Sequence, residues 1–459
     1  MTGRTIEPHP NVLLLTIDTL RADVLGSYGD PNLITPVLDR LARESLRFEL
    51  AITGGSWTQA AFPPLLTSTY ASMFGGCLGP LSPERPSPIS ALSDHGYTTI
   101  GVSSSPLLGR RYAYERGFRY FHELIPAESE PRLRRIKGGM RLLTRPMTHR
   151  IAQRLGRRLR PARRYGSAGE VNTRIVSELG NGRPFFGWIH YMDVHWPYHR
   201  EEELEHPDEI AQAWKDVNHL YAVNWKNEKI TSEQKAHYLN LYREAARFAD
   251  AQFGELLARL EEMGLLEDTV IIVVSDHGEE FLERGKWGHI EVNLFDEIIR
   301  VPLIIRLPGG STAGTIRQQV QTLDIMPTVL ELCGCQAPEG MVGQSLAPLW
   351  GGGTGRYEDR PAISEMWRDT RHMIAARTSE HKLIWDSRNP GTPELYDLRT
   401  DPGERENIAG REPDLLQRLQ QLVDQRLKAA TASSPADPVE PPSHDEAMIR
   451  RLRDLGYLE

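Results

Sequence analysis

Residues 11–23 read NVLLLTIDTLRAD. The apolar run Val12 to Ile17 shows no polar alternation, as expected of a strand buried on both faces, and it stops at Asp18. It is too short for a signal-peptide core and far too short to span a bilayer. Working outward, Thr35-Pro36 opens a helix over Val37 to Glu44, with apolar side chains at Val37, Leu38, Leu41 and Ala42. Ala91 to His95 reads as a helix closing on Gly96, and Tyr97 to Ser103 as the next strand. Phe185 to Tyr191, Thr269 to Val274 and Val301 to Arg306 read as further buried strands. A long helical pattern over 234–263 ends at Gly264, and Asp324 to Cys333 is another helix. The alternation predicts an α/β fold, a large, mostly parallel sheet flanked by helices.

From Gly351-Gly352-Gly353 the texture changes. Residues 1–350 are expected to form the main α/β domain. Residues 351–430 are expected to form a C-terminal α+β subdomain, a small antiparallel sheet followed by the helix Pro413 to Lys428. Residues 431–459 read as a Pro/Ser-rich linker and a short terminal helix, Glu446 to Leu455. The stretch 199–235 reads as loop.

The chain has 459 residues, 39% apolar and 25% charged, far too apolar for a disordered protein. Fifty-four basic against 62 acidic residues give a net charge of −8, which argues against nucleic-acid recognition. Nowhere does an apolar stretch reach the ~18 residues a transmembrane helix needs. The three cysteines, Cys77, Cys333 and Cys335, leave one over from any pairing. A soluble, cytoplasmic protein is expected. Residues 131–169 stand apart: they hold thirteen Lys or Arg and no Asp or Glu. Ile151, Leu155 and Leu159 recur there every four residues, so part of the segment reads as an amphipathic basic helix. It is a candidate for contact with an anionic surface; the alternative is a solvated connector.

Three of the apolar strands end in Asp18, in Asp193-Val194-His195 and in Asp276-His277. In open α/β sheets, ligands bind beyond the carboxyl ends of the strands. Asp and His are natural ligands of a divalent cation. Each residue alone has a plainer reading, such as a helix cap for Asp18. Thr58 follows Gly54-Gly55-Ser56-Trp57 and opens the helical stretch to Thr67. A hydroxyl there can cap the helix, or it can act as a nucleophile if a cation lowers its pKa.

The runs just described, with G-S-Y-G (26–29), H-Y-M-D-V-H-W-P-Y (190–198), S-D-H-G-E-E (275–280), K-W-G-H (286–289), F-D-E-I-I-R-V-P-L-I-I-R-L-P-G (295–309), L-D-I-M-P-T-V-L-E-L (323–332) and E-L-Y-D-L-R-T-D-P-G-E (394–404), resemble the sulfatase family of the alkaline phosphatase superfamily, in that family's order. The resemblance implies that Asp18, Asp276 and His277 are metal ligands, with Thr58 at the nucleophile's position and also on the metal. It implies that His195, Lys286 and His289 contact the ester anion or its leaving group. It further implies one divalent ion, Ca, Mn, Mg or Zn.

The departures are informative. Sulfatases that use formylglycine start from Cys or Ser in C/S-x-P-x-R, whereas residues 58–62 read TQAAF. Thr cannot become that aldehyde. The second Asp of the family's Asp-Asp is Thr19, and Ser103-Ser104-Ser105-Pro106 replaces a Lys-x-His run. The set Asp18, Thr58, Asp276 and His277 is instead similar to lipoteichoic acid synthases and phosphoethanolamine transferases, membrane proteins that use an unmodified Thr and have a Glu where Asp18 stands. The resemblance thus implies a metal-dependent hydrolase or transferase cleaving a phosphate or sulfate ester through Thr58. The alternatives are an arylsulfatase-like sulfuric ester hydrolase that works without formylglycine, and a degenerate scaffold that binds an anionic partner. The expected substrate is a small or glycan-linked anionic ester.

Overall fold

The computed structural model describes residues 10–126, 138–155, 159, 165–180, 184–199, 204–226, 228–289, 293–310, 312–353, 355–368, 370–433, 444 and 446–455. Ten strands precede residue 322: β1 (Asn11–Ile17), β2 (Leu46–Ile52), β3 (Thr98–Ser103), β4 (Tyr120–Glu123), β5 (Phe185–Tyr191), β6 (Thr269–Ser275), the short pair β7 (Glu280–Phe281) and β8 (Trp287–Gly288), β9 (Arg300–Arg306) and β10 (Gly314–Gln321). All but β7 and β8 form one sheet in the order β10-β2-β9-β6-β1-β5-β3-β4. Strand β9 runs antiparallel to both neighbours, and every other pair is parallel.

Helices α1 (Pro36–Arg43), α2 (Thr58–Thr67), α3 (Pro88–Asp94), α4 (Gly139–Leu143), α5 (Pro146–Arg154), α6 (Ala168–Glu178), α7 (Pro207–Lys226), α8 (Ser232–Glu262), α9 (Asp296–Ile299) and α10 (Ile325–Leu332) accompany the sheet. Strand β1 shows why its run is unbroken. Val12 and Leu14 enter the core shared with α2, α3 and α10, while Leu13, Leu15 and Ile17 enter the core under α1, α6 and α8. Both faces are dry, and each fully buried aliphatic side chain contributes ~1.5–3 kcal/mol.

The stretch 199–235, expected as loop, is largely the helix α7. Ile210, Ala213, Trp214, Val217 and Leu220 are buried along it, a helical spacing. Strands β2, β4 and β10 and helix α6 also lie outside the sequence expectation. Polar residues mask β10: Gln319 and Gln321 are buried there.

The C-terminal sheet is antiparallel, β11 (Ala362–Arg368), β12 (Arg371–Arg377), β13 (His381–Asp386) and β14 (Glu394–Asp397), with helix α11 (Pro413–Ala432) packed on it. Helix α11 runs four residues past its expected end, into the stretch read as linker. A last helix, α12, spans Glu446–Asp454. Parts of the basic segment, 131–137, 156–158 and 160–164, lie outside the described residues. No described helix is long and apolar enough to cross a membrane.

Candidate active site

Register brings the site together. Ile17 of β1 pairs with Tyr191 of β5 and with Ser275 of β6. The next residues along two of these parallel strands, Asp18 and Asp276, therefore emerge at one level on the carboxyl edge. The Asp18 amide donates to the Tyr191 carbonyl at 2.9 Å, and Ser275 Oγ donates to the Ile17 carbonyl at 2.8 Å, locking the three strand ends.

Asp18, Asp276 and His277 each present one ligand atom, and those atoms lie within 4.8 Å of one another. All three side chains are fully buried. His277 Nδ1 faces the Gly278 carbonyl at 2.9 Å. With the proton on that nitrogen, the lone pair sits on Nε2, 3.5 Å from Asp276 Oδ2 and 4.0 Å from Asp18 Oδ1. Asp18 Oδ1, Asp276 Oδ2 and His277 Nε2 have no hydrogen-bond partner among the described residues. Buried polar atoms are rarely left so. Two carboxylate oxygens and an imidazole nitrogen aimed at one point fit a divalent cation.

The electrostatics agree. Burial pushes the Asp276 carboxyl up to about 6, and the Asp18 charge beside it adds to the rise. Burial acts on Asp18 in the same sense. There, however, the His190 hydrogen bond and the His195 and His277 rings outweigh it and hold the carboxyl below its ordinary range. Burial disfavours the charged His277 ring, yet the two carboxylates lift it above its ordinary value. A dication would relieve the repulsion between the two acids.

Around this trio stand further imidazoles. The His289 ring lies 4.6 Å from that of His277 and 5.0 Å from that of His195. His195 Nδ1 is 2.6 Å from the Trp196 carbonyl, and His289 Nδ1 is 2.9 Å from Glu279 Oε1. Burial lowers His195 to about 4, drives His289 well below its ordinary value and raises Glu279 to about 7. Both histidines are thus held neutral, each with a fixed tautomer.

Strand β2 brings Thr58 to the same edge. It is antiparallel to β9, which is antiparallel to β6, so β2 points the same way as β6, and Ile52 pairs with Arg300 at the start of β9. The connection to α2 is pinned there: the Thr53 amide donates to the Ile299 carbonyl at 2.8 Å, next to the Gly278 amide on Ile298 at 2.7 Å. Thr58 is the first residue of α2 and fully buried, with Trp57, not Thr58, at the cap. One turn on, the Phe62 ring packs 5.1 Å from the His190 ring, which holds Asp18 Oδ2 at 3.2 Å. Gly55 is required in this connection, since a Cβ would come within 2.2 Å of the Ala60 backbone.

Five of the residues singled out in the sequence, Asp18, Asp276, His277, His195 and His289, are therefore joined by direct contacts or ring packing. Thr58 and Lys286 are placed by their elements, Thr58 at the α2 N-terminus and Lys286 half-buried between β7 and β8. Asp193 turns to α6 instead, accepting from the Ala168 amide at 2.9 Å. His190 and Glu279 are not among the residues the sequence points to, and Thr19 is noted there only as a departure from the family's Asp-Asp. Thr19 sits at φ +56°, rare for a β-branched residue; its amide donates to Asp276 Oδ1 and its hydroxyl to the Val194 carbonyl. His190 and Glu279 stand inside the two quoted runs that carry His195 and Asp276.

A family model described as Sulfatase matches residues 10–335, and one described as N-sulphoglucosamine sulphohydrolase, C-terminal, matches 285–433. The chain is 26% identical over 441 residues to the uncharacterized sulfatase YidJ of Escherichia coli (strain K12), covering 87% of this chain and 83% of that protein. It is 27% identical over 249 residues to arylsulfatase K of Xenopus laevis, covering 49% of this chain and 45% of that protein, so it spans under half of that relative's length. Among solved structures it resembles the phosphonate monoester hydrolase of Agrobacterium radiobacter, with a TM-score of 0.68 at 22% identity over 92% of this chain and 96% of that one. It also resembles a 2-O GAG sulfatase, with a TM-score of 0.68 at 20% identity over 97% and 100%. At these identities the structural likeness speaks for the fold alone.

Proposed function

This chain belongs to the sulfatase family, and on that premise we propose that it is a metal-dependent ester hydrolase in which Thr58 attacks a sulfate or phosphate ester. The observation that carries the reading is the buried, unpartnered trio Asp18 Oδ1, Asp276 Oδ2 and His277 Nε2 at the sheet edge to which β2 leads Thr58. These three residues would hold the ion. When bound, a divalent cation supplies positive charge that favours an ionised hydroxyl and offsets the negative charge of the ester.

Thr58 passes its hydroxyl proton to the unprotonated ring nitrogen of neutral His195 or His289, and Oγ1 forms a bond to sulfur or phosphorus as the bond to the leaving alcohol breaks. The N-terminus of α2 orients the hydroxyl and favours negative charge there. The leaving oxygen then takes that proton from the imidazolium so formed, whose Nδ1 contacts fix which nitrogen faces inward. Lys286 contributes a cation for the ester anion. Water then attacks the sulfur or phosphorus, releases the inorganic anion and restores Thr58.

The experiment is turnover of an aryl sulfate, an aryl phosphate and a phosphodiester by protein and by Thr58→Ala, each supplied with Ca, Mn, Mg or Zn. Loss of about 10³-fold or more in kcat, with metal binding retained, is expected. Full turnover by the variant would exclude Thr58 as nucleophile. The names of the sequence relatives favour the sulfate ester; the ratio of kcat/KM values decides between it and the phosphate ester.

A further inference from the structure

Seven large apolar side chains are exposed among the described residues, and four of them lie within 142–155: Leu142 (40%), Met147 (60%), Ile151 (52%) and Leu155 (71%). Such clustering is not the scatter expected of a solvated surface. Helix α5 carries Met147 and Ile151, and Leu155, its C-cap, continues them at i, i+4 and i+8. At ~100° per residue they fall within ~80° of one another, a single stripe.

The opposite face of the helix already has its partner. His149 and Ala152 are buried, and the His149 ring is anchored at 2.6 Å to the Leu143 carbonyl. Helix α5 packs on α7, beside the small core of Leu143, Ile210, Ala213 and Trp214. The helix is thus held by one face and presents apolar side chains on the other. Arg141, Arg145, Arg150 and Arg154 of the same segment are exposed, Arg150 and Arg154 on α5 itself. Arg150 shares an exposed ion pair with Asp208, and no acidic residue occurs from 131 to 169.

We propose that α4 and α5 form a docking surface for an anionic lipid bilayer, the apolar stripe entering the headgroup boundary while the arginines meet the lipid phosphates. A bilayer rather than a soluble polyanion is the partner because arginines alone would serve a polyanion. Four outward apolar residues gain nothing from one, but lose their contact with water in a membrane. Helix α7 packs against α5 and also touches β8, so the docked surface lies one helix from the hairpin that leads to His289.

Co-sedimentation of the full chain with phosphatidylcholine vesicles, with and without phosphatidylglycerol, tests this. Binding is expected only with phosphatidylglycerol, and Ile151→Asn with Leu155→Asn should weaken it about tenfold or more while every arginine is kept. The exposed positions leave the fold intact, to be checked by an unchanged Tm. An Ile151→Trp variant should show a blue-shifted emission on binding. No binding to anionic vesicles, binding unaffected by the paired Asn variant, or an unshifted emission would each overturn the proposal. Full displacement by soluble heparin with no emission shift would assign the surface to polyanions instead.

Discussion

Asp18 and Asp276 each lie one residue beyond a paired strand end, and nothing more than β register is needed to make them meet. That is why they can be read from sequence: an apolar run that stops at an acid marks both the strand and its functional edge. His277 comes with them because it follows Asp276. His190 gives no such signal, since its place inside β5 makes it look like one more core position, although its Nε2 holds Asp18 Oδ2 at 3.2 Å. Thr19 is equally silent, because a positive φ at a β-branched residue is fixed by the surrounding contacts and not by its own preference. Gly278 is the small residue on which the trio depends. A Cβ there would sit 2.1 Å from the Glu297 carbonyl oxygen, while the Gly278 amide bonds the Ile298 carbonyl. Backbone cannot yield as a side chain can. Gly278→Ala should therefore cost about 1–3 kcal/mol in urea unfolding and weaken metal binding through a displaced His277. Unchanged values of both would show that the close approach is not needed.

Strand β2 and helix α7 are the elements that sequence reading passed over, and for different reasons. In β2, Arg47 and Glu49 alternate with Leu46 and Phe48 directly after a helix, and only Leu50 to Ile52 is unbroken apolar sequence; pairing with β9 and β10 defines the strand. In α7 the helical spacing is present but lies under a polar exterior. The start of α1 shows how one element is fastened to another. Asp250, in the middle of α8, accepts from the Leu38 and Val37 amides at 2.7 and 3.0 Å. Burial pushes its carboxyl up to about 6 against these bonds, from an ordinary 3.8. The folded state therefore holds this proton more tightly than the unfolded chain. The contribution favours folding below the unfolded value and is lost as pH rises towards 6. Asp250→Asn removes the titration. Between pH 4 and pH 7 its stability relative to the parent should shift in its favour by up to about 3 kcal/mol in urea unfolding. A constant difference across that range would show that Asp250 keeps an ordinary carboxyl.

The C-terminal sheet supports the site from outside the main sheet. The Glu365 amide, in β11, donates to the Gly54 carbonyl at 2.9 Å, beside the connection that leads to Thr58. The Glu365 carboxylate holds Arg426 of α11 at 2.6 Å and Ser72 at 2.7 Å. Lys382 of β13, fully buried, joins Asp296 at 2.7 Å and Glu404 at 2.5 Å ahead of β9. Such buried pairs serve position more than stability. The fold class could be read from alternating runs because buried strands leave an unbroken apolar pattern, whereas these anchors join residues tens to hundreds of positions apart that no local pattern marks. An ion at the trio would bind only the folded chain and tie the β1 and β6 ends together, so it should also raise Tm. Titration of chelator-stripped protein with Ca, Mn, Mg and Zn by calorimetry, for the parent chain and for Asp18→Asn with His277→Ala, is the most direct test. One equivalent per parent chain is predicted for at least one of these ions, with binding abolished in the double variant and Tm raised only in the parent. Equal binding by both proteins, or none by the parent, would contradict a metal site at these strand ends.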